Sequence, residues 1–393
     1  MVRMSLFMYF LFSTYSIMGF FLPPYLQSNG LDSGQIGNLL AVGSLVAMIA
    51  QPAWGFISDK NKTVKPILLV LLICAFSVSL GFFSATSFFA ILFFYALFSC
   101  FHSATGPLAE TLCIAYASQH QKSFGQIRLW GEVGVGMSSL LLGIVIDRIG
   151  IHHLGGIYAL AVCVAGAATL LLPNSKSAAS AVNLSNLGKL FVKPKLLWFL
   201  LLVLMVGIPH RMNDSMLAIY LHRLGATDTQ LGMAWLVATF STVPVFMFIS
   251  KIMRKWNELG ILVIAAFAYS LRWMIYSFAE SPGVLIAAQL LHSLTFPLFL
   301  VSSIQYLSRI VPAELRASGQ AAFAVTFGGL GGIIGSSTGG YAMVQLGPQP
   351  TYLAGSLLAL AGAAAIIATY KFGQRNSRRG QSAMVKPADN ESL

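Results

Sequence analysis

Long apolar stretches alternate with short polar ones along almost the whole chain. They predict helices over 4–27, 33–57, 64–85, 87–117, 124–146, 152–172, 196–222, 228–250, 259–278, 282–309, 315–345 and 349–371. Each stretch is near or above the roughly 20 residues that a membrane-spanning helix needs. The segment from Pro173 to Pro194 breaks the pattern. Its run Asn174-Ser-Lys-Ser-Ala-Ala-Ser is polar and is followed by a basic stretch, which reads as a linker. The fold class that follows is an all-α membrane protein with twelve transmembrane helices in two six-helix halves. The halves cover 1–172 and 196–371, with a linker over 173–195. The polar, basic tail over 372–393 has too little apolar surface to order itself and is expected to be disordered.

Short echoes link the two halves. Phe56-Ile57-Ser58-Asp59-Lys60 ends the second predicted helix, and Phe248-Ile249-Ser250-Lys251 ends the eighth. Gly125-Gln126 opens the fifth, and Gly319-Gln320 opens the eleventh. Internal repeats with a site at their interface are a common architecture of secondary transporters. Seven glycines gather in the eleventh predicted helix, from Gly328 to Gly340. They suit close helix packing, and also a helix that slides or bends.

Composition removes other classes. The chain is 56% hydrophobic and only 9% charged, whereas soluble domains carry roughly 25% charged residues. A net charge of +12 would suggest nucleic acid if it lay on one soluble face. Instead, 19 of the 24 Lys and Arg fall in alternate interhelical segments and the termini. They include Lys60, Lys62, Lys65, Lys122, Lys189, Lys193, Lys195, Lys251, Arg254, Lys255, Arg309, Arg316 and the tail. Only Arg148 and Arg223 fall on the other side. The positive-inside rule then predicts a multi-pass cell-membrane protein with both termini cytosolic. The bilayer, with its anionic lipid, is the expected partner of the basic excess, and nucleic acid is not. No small-residue cleavage site follows the first apolar run, which reads as a retained helix. Cys74, Cys100, Cys113 and Cys163 lie in predicted helices without metal-ligand spacing and read as packing residues. No metal, cofactor or enzymatic motif is expected, and the chain is expected to act as a monomer.

Nine ionisable residues lie inside the apolar segments: His102, Glu110, Arg128, Glu132, His210, Arg211, Asp214, Arg272 and His292. A charge at membrane depth is costly and persists mainly where it faces a cavity or a partner. Glu110, Arg128 and Glu132 fall at similar depth, roughly 6–12 Å from one membrane face at 1.5 Å per residue. Arg128 and Glu132 share a helix face by their spacing. An Arg with a carboxylate can grip a hydroxylated solute, one donating and the other accepting. One Arg facing two acids leaves a surplus carboxylate, which makes Glu132 a candidate proton carrier. Trp130, beside Arg128, is a candidate to stack on a sugar or aromatic ring. His210 and Asp214 share a second face, with Arg211 beside them and Arg272 and His292 at comparable depth. Histidine titrates in the range useful for proton coupling. His102 reads as a hydrogen-bonded packing residue.

Gly55-Phe-Ile-Ser-Asp59-Lys60-Asn-Lys62 resembles the loop motif of the major facilitator superfamily. Three further stretches resemble its lactose permease and phenylpropionate permease branch: Ile17-Met-Gly19-Phe-Phe-Leu-Pro23, Phe124-Gly-Gln-Ile-Arg128-Leu-Trp130-Gly131 and Gln289-Leu-Leu-His292-Ser-Leu-Thr-Phe-Pro297. The resemblance implies a proton-coupled symporter for a small polar organic solute such as a sugar, oligosaccharide or nucleoside, working by alternating access. Uptake of an aromatic carboxylate, or export of a drug or metabolite, is the alternative. It implies substrate contacts at Glu110 and Arg128, with Gly19 and Trp130 as further candidates. Proton coupling is expected from Asp214, Glu132, Arg272, His292 and His210. A cytosolic gate is expected at Gly55, Asp59 and Lys60. The chain also departs from lactose permease. Thr295 stands where that protein has its coupling glutamate, Val135 where it has the sugar-stacking tryptophan, and Thr239 and Phe327 near two further charged positions.

Overall fold

The computed structural model describes residues 1–172, 193–312 and 315–384. The described residues form twelve helices long and apolar enough to cross a membrane. They are α1 Val2–Ser28, α2 Ser33–Lys60, α3 Lys65–Ser84, α4 Phe88–Gln119, α5 Phe124–Ile149, α6 Ile151–Leu170, α7 Pro194–Arg223, α8 Asp228–Lys255, α9 Glu258–Ser277, α10 Pro282–Ile310, α11 Ser318–Gln345 and α12 Pro348–Met384. Most of the predicted linker, 173–192, lies outside the described residues; its last residues cap and open α7. The tail differs from the expectation in its first part, because α12 continues as far as Met384. Gln, Arg, Ala and Met are good helix formers, so a helix leaving the membrane need not stop where hydropathy falls. Residues 385–393 lie outside the description.

Helix starts and stops are written locally, and the same construction recurs in both halves. Gly30 and Gly225 take positive φ, +89° and +82°, after α1 and α7. Two residues later Asp32 and Thr227 cap α2 and α8, each in a reciprocal capping box with a glutamine, Gln35 or Gln230. Gly150 and Gly347 make the matching turns after α5 and α11, with φ +89° and +84°. A left-handed turn of this kind closes a helix cheaply only at glycine.

The halves meet along two seams. In the first, α2 lies against α11 so closely that a side chain on Gly37 would strike the Ser336 carbonyl, and one on Gly340 the Ser33 carbonyl. In the second, α5 lies against α8, with Gly143 on the Asp228 backbone and Gly232 on the Ser139 carbonyl. The hydroxyl of Ser139 also donates to Gly232 O at 3.1 Å. Both seams lie toward the helix ends away from the basic loops. Toward the basic end the walls part around a cavity of about 610 Å³, with Gln51 and Pro52 of α2 facing Gln320 and Ala321 of α11. The bundle is therefore closed at one end and separated at the other.

Two π-helical turns interrupt the inner helices: Ile17–Phe21 in α1 and Val325–Leu330 in α11. A π-turn adds a residue to one turn and often marks a functional position. Gly19 in the first, and Phe327, Gly328 and Gly329 in the second, line the central cavities.

Candidate functional site

A second cavity, of about 310 Å³, lies between the halves on the closed side of the first, and both are lined by Ser44, Ala47, Gln51 and Arg211. Its walls carry Tyr15, Gly19, Tyr95, Ser99, His102, Ser103, Asp214, Ser215 and Ser336. Hydroxyls, a carboxylate and a guanidinium thus alternate with aromatic faces.

On the wall formed by α1 and α4, Tyr15 fixes the geometry. Its hydroxyl donates to His102 O at 3.0 Å and accepts from Gly106 N at 2.7 Å. These two backbone groups are four residues apart, so the hydroxyl sits inside the helical ladder of α4. His102 is buried, bonded to Thr14 Oγ1 at 3.3 Å and stacked on Phe98 with ring centroids 4.9 Å apart. The packing role expected of it holds, and the residue also stands on the cavity wall.

One turn beyond Gly106, Glu110 and Arg128 meet. Arg128 Nε lies 2.8 Å from Glu110 Oε1, and its Nη1 lies 3.0 Å from Glu132 Oε1. The guanidinium is also 4.3 Å from the centroid of the Phe12 ring. The three charges expected to cluster do so, with Arg128 held between two acids that keep 41% and 33% of their side-chain surface open. Trp130 is elsewhere. Two residues along a helix is about 200° of rotation, and Trp130 joins Met137 and Leu141 on the exposed apolar face of α5. The stacking role read from its neighbourhood to Arg128 is withdrawn.

The other half carries a longer polar chain. Asp214 Oδ2 lies 3.3 Å from Arg211 Nη1 and 3.6 Å from His210 Nε2. His210 Nδ1 meets Tyr269 Oη at 3.1 Å. The His210 ring is parallel to Phe296 and to His292, with centroids 5.5 and 6.2 Å away. His292 Nδ1 in turn meets Arg272 Nη1 at 3.0 Å. Arg272 is 1% exposed, and no carboxylate lies within bonding distance of it among the described residues. It is held by Gln289 Oε1 and Tyr276 Oη, and lies over the Trp273 ring. Thr295 donates to His292 O at 3.0 Å, filling with a hydroxyl the place where the resemblance implies an acid.

Gly55, Asp59 and Lys60 occupy the last turns of α2, at the basic end. A side chain built on Gly55 would meet nothing within 4 Å, so in this conformation that face of α2 is unpacked. Gln289, Gln51, Tyr15 and Tyr95 were not legible as site residues. They are uncharged, and a search for charges in apolar segments passes over them. A polar amide inside an apolar run was the available signal for both glutamines.

The sequence profile of the MFS_1 like family matches residues 1–354. The maltose permease of Geobacillus stearothermophilus is 26% identical over 360 residues, 91% of each chain. The probable 3-phenylpropionic acid transporter of Escherichia coli (strain K12) is 24% identical over 330 residues, 81% of this chain and 86% of its own. The crystal structure of the nucleoside transporter NupG superposes with a TM-score of 0.85 at 17% identity, covering 93–94% of this chain and 98% of that one across two structures. At that identity the match speaks for the fold.

Proposed function

Because the chain belongs to the MFS_1 like family of membrane transporters, we propose that it is a proton-coupled symporter for a small polar organic solute of the sugar, oligosaccharide or nucleoside kind. It works by alternating access, as a monomer, in the cell membrane with both termini in the cytosol. The orientation rests on the 19 of 24 basic residues that mark one side. On that orientation the described conformation is open toward the cytosol.

The observation that carries the reading is the pair of adjoining cavities between the halves. Their size suits a small solute. The lining of the smaller one interleaves donors and acceptors with the rings of Tyr15, Tyr95 and Phe98, as a hydroxylated ring with apolar faces requires. Arg128 with Glu110 forms a second gripping pair nearer the cytosol, and Gly19 contributes open space rather than a contact.

Charge arithmetic supports proton coupling. Glu110, Glu132 and Arg128 sum to −1, and Arg211, Arg272 and Asp214 sum to +1, with histidines neutral. Protonating one acid changes this balance by a full charge in a medium where charge is costly. Asp214 is the favoured carrier, because it faces the cavity and touches both Arg211 and His210. His292 and Arg272 continue the network behind it. Glu132 is the other candidate.

A second reading is favoured by one observation. Arg211 lines both cavities, and in the larger one it stands with Phe296 and Phe327, which is a fit for an aromatic carboxylate. Uptake of radiolabelled sugars, nucleosides and aryl carboxylates into vesicles, with and without an imposed pH gradient, tests both. Uphill uptake of a hydroxylated solute that vanishes without the gradient supports the first reading. Uptake confined to carboxylates supports the second, and outward movement overturns both.

A further inference from the structure

The α5–α8 seam ends in an interaction that none of the roles above uses. Asp147, in the last turn of α5, places its two carboxylate oxygens on the first turn of α8. Oδ1 accepts from Asp228 N and Oδ2 from Thr229 N, each at 2.9 Å. The neighbouring N–H groups of Thr227 and Gln230 are already taken by the capping box of α8 itself. The four N–H groups that a helix start leaves open are thus divided, two to the helix's own box and two to a carboxylate from the opposite half. No Lys, Arg or His forms an ion pair with Asp147 among the described residues, so its described partners are these N–H groups, the side chains of Thr227 and Thr229 beside them, and the positive end of the helix dipole. Just inside, Gly143 and Ser139 bring the α5 backbone against α8.

We propose that Asp147 is the latch that holds the non-cytosolic end shut while the cytosolic end is open. Opening that end must separate α5 from α8, and two charge-assisted hydrogen bonds are then exchanged for water. Asp147 is exposed, so water can take its place and the latch can release. On the far side of the same end, Arg223 of α7 donates to Met343 O at 3.2 Å and reaches Ser33 Oγ of α2 at 3.5 Å, but it does so as a long, flexible cation. Among the described residues, Asp147 is the carboxylate that joins the two halves with both oxygens on backbone.

The inference rests on the family assignment and on the orientation given above, but not on any substrate. Its test therefore contains none, and failure would leave the proposed solute and proton coupling standing. The four native cysteines are replaced by serine, and two reporters are introduced separately. Ser33→Cys is buried at the closed end, and Gln51→Cys lines the open cavity. Labelling by a membrane-impermeant maleimide is timed from outside for the first and in inverted vesicles for the second. Asp147→Asn and Asp147→Ala are expected to raise the outer rate severalfold and to lower the inner rate. Asp228→Pro removes one of the two N–H groups at the first helical position, where proline is well tolerated, and is expected to shift both rates the same way by a smaller factor. Asp228→Ala loses the same side chain, with its His222 contact at 3.2 Å, but keeps the N–H, and is expected to match the parent. Unchanged outer labelling in both Asp147 variants would overturn the latch. So would faster labelling at both reporters, which is loosening, or an Asp228→Ala shift equal to that of Asp228→Pro.

Discussion

Arg128 shows what a single side chain contributes here. It lies between two acids and on a phenyl ring, so its Nε and Nη1 are placed by Glu110 and Glu132 before any solute arrives. Replacing it with lysine keeps the charge and loses the planar fork. Arg128→Lys and Glu110→Gln are each expected to weaken solute binding by about tenfold to a hundredfold, the worth of a charged hydrogen bond. Isothermal titration with a solute found by uptake screening reads this directly, and wild-type affinity in both variants would remove the pair from the site. For Asp214 the expected change is in coupling rather than affinity. Moving one charge through 100 mV releases about 2.3 kcal/mol, enough for roughly fifty-fold accumulation. Asp214→Asn is expected to abolish uphill uptake while exchange of internal for external solute continues. If that variant still concentrates solute and Glu132→Gln does not, the carrier is Glu132. The ionisable residues were legible because each one violates an apolar run. Trp130 was misread because adjacency in sequence to Arg128 puts it on a different face of α5. The Gln289 contact to Arg272 was missed because an uncharged side chain raises no alarm.

At the scale of elements, the apolar pattern gave the number and type of helices, with ends displaced by a few residues. The largest displacements are at α8 and α12, where a polar or basic turn continues a helix that no longer needs the membrane. The π-turns were not legible, since no residue type requires one and tertiary contacts select the register. The glycine cluster of α11 was read as packing or sliding, and both readings apply at different places. Gly332, Gly335, Gly339 and Gly340 would each collide with a neighbour if given a side chain, whereas Gly328 and Gly329 belong to the π-turn at the cavity. Gly340→Val should therefore strike the Ser33 carbonyl and wedge the closed end. Overpacking typically costs about 1–3 kcal/mol, here set against one conformation only. The expected result is faster outer labelling of a buried α2 cysteine in a protein that still reaches the membrane. Gly328→Ala meets only the end of Arg211 and is expected to leave that labelling unchanged.

Over the whole molecule, two-half organisation was written in the break near 173 and in the charge asymmetry. Which end is shut was not, because the apolar pattern along α2, α5, α8 and α11 is the same whichever of their ends touch. The Gly55 face lies unpacked here, and a cytosolic gate at Gly55, Asp59 and Lys60 is what the resemblance implies. Asp59→Asn is expected to deepen the cytosol-open bias, seen as faster labelling of a Gln51→Cys reporter from the cytosolic side. Unchanged labelling on both sides would separate Asp59 from the gate.

The tightest approaches at the closed end are main chain on main chain, at Gly37, Gly340, Gly143 and Gly232, while Phe240 and Leu236 pack on Gly136 deeper along the α5–α8 seam. Parting those main-chain approaches requires few rotamers to change. The barrier to switching is then set by wetting the gap and by the handful of polar ties across it. Turnover in such a carrier should respond more to ionic strength and water activity at the outer face than to the fit of its core.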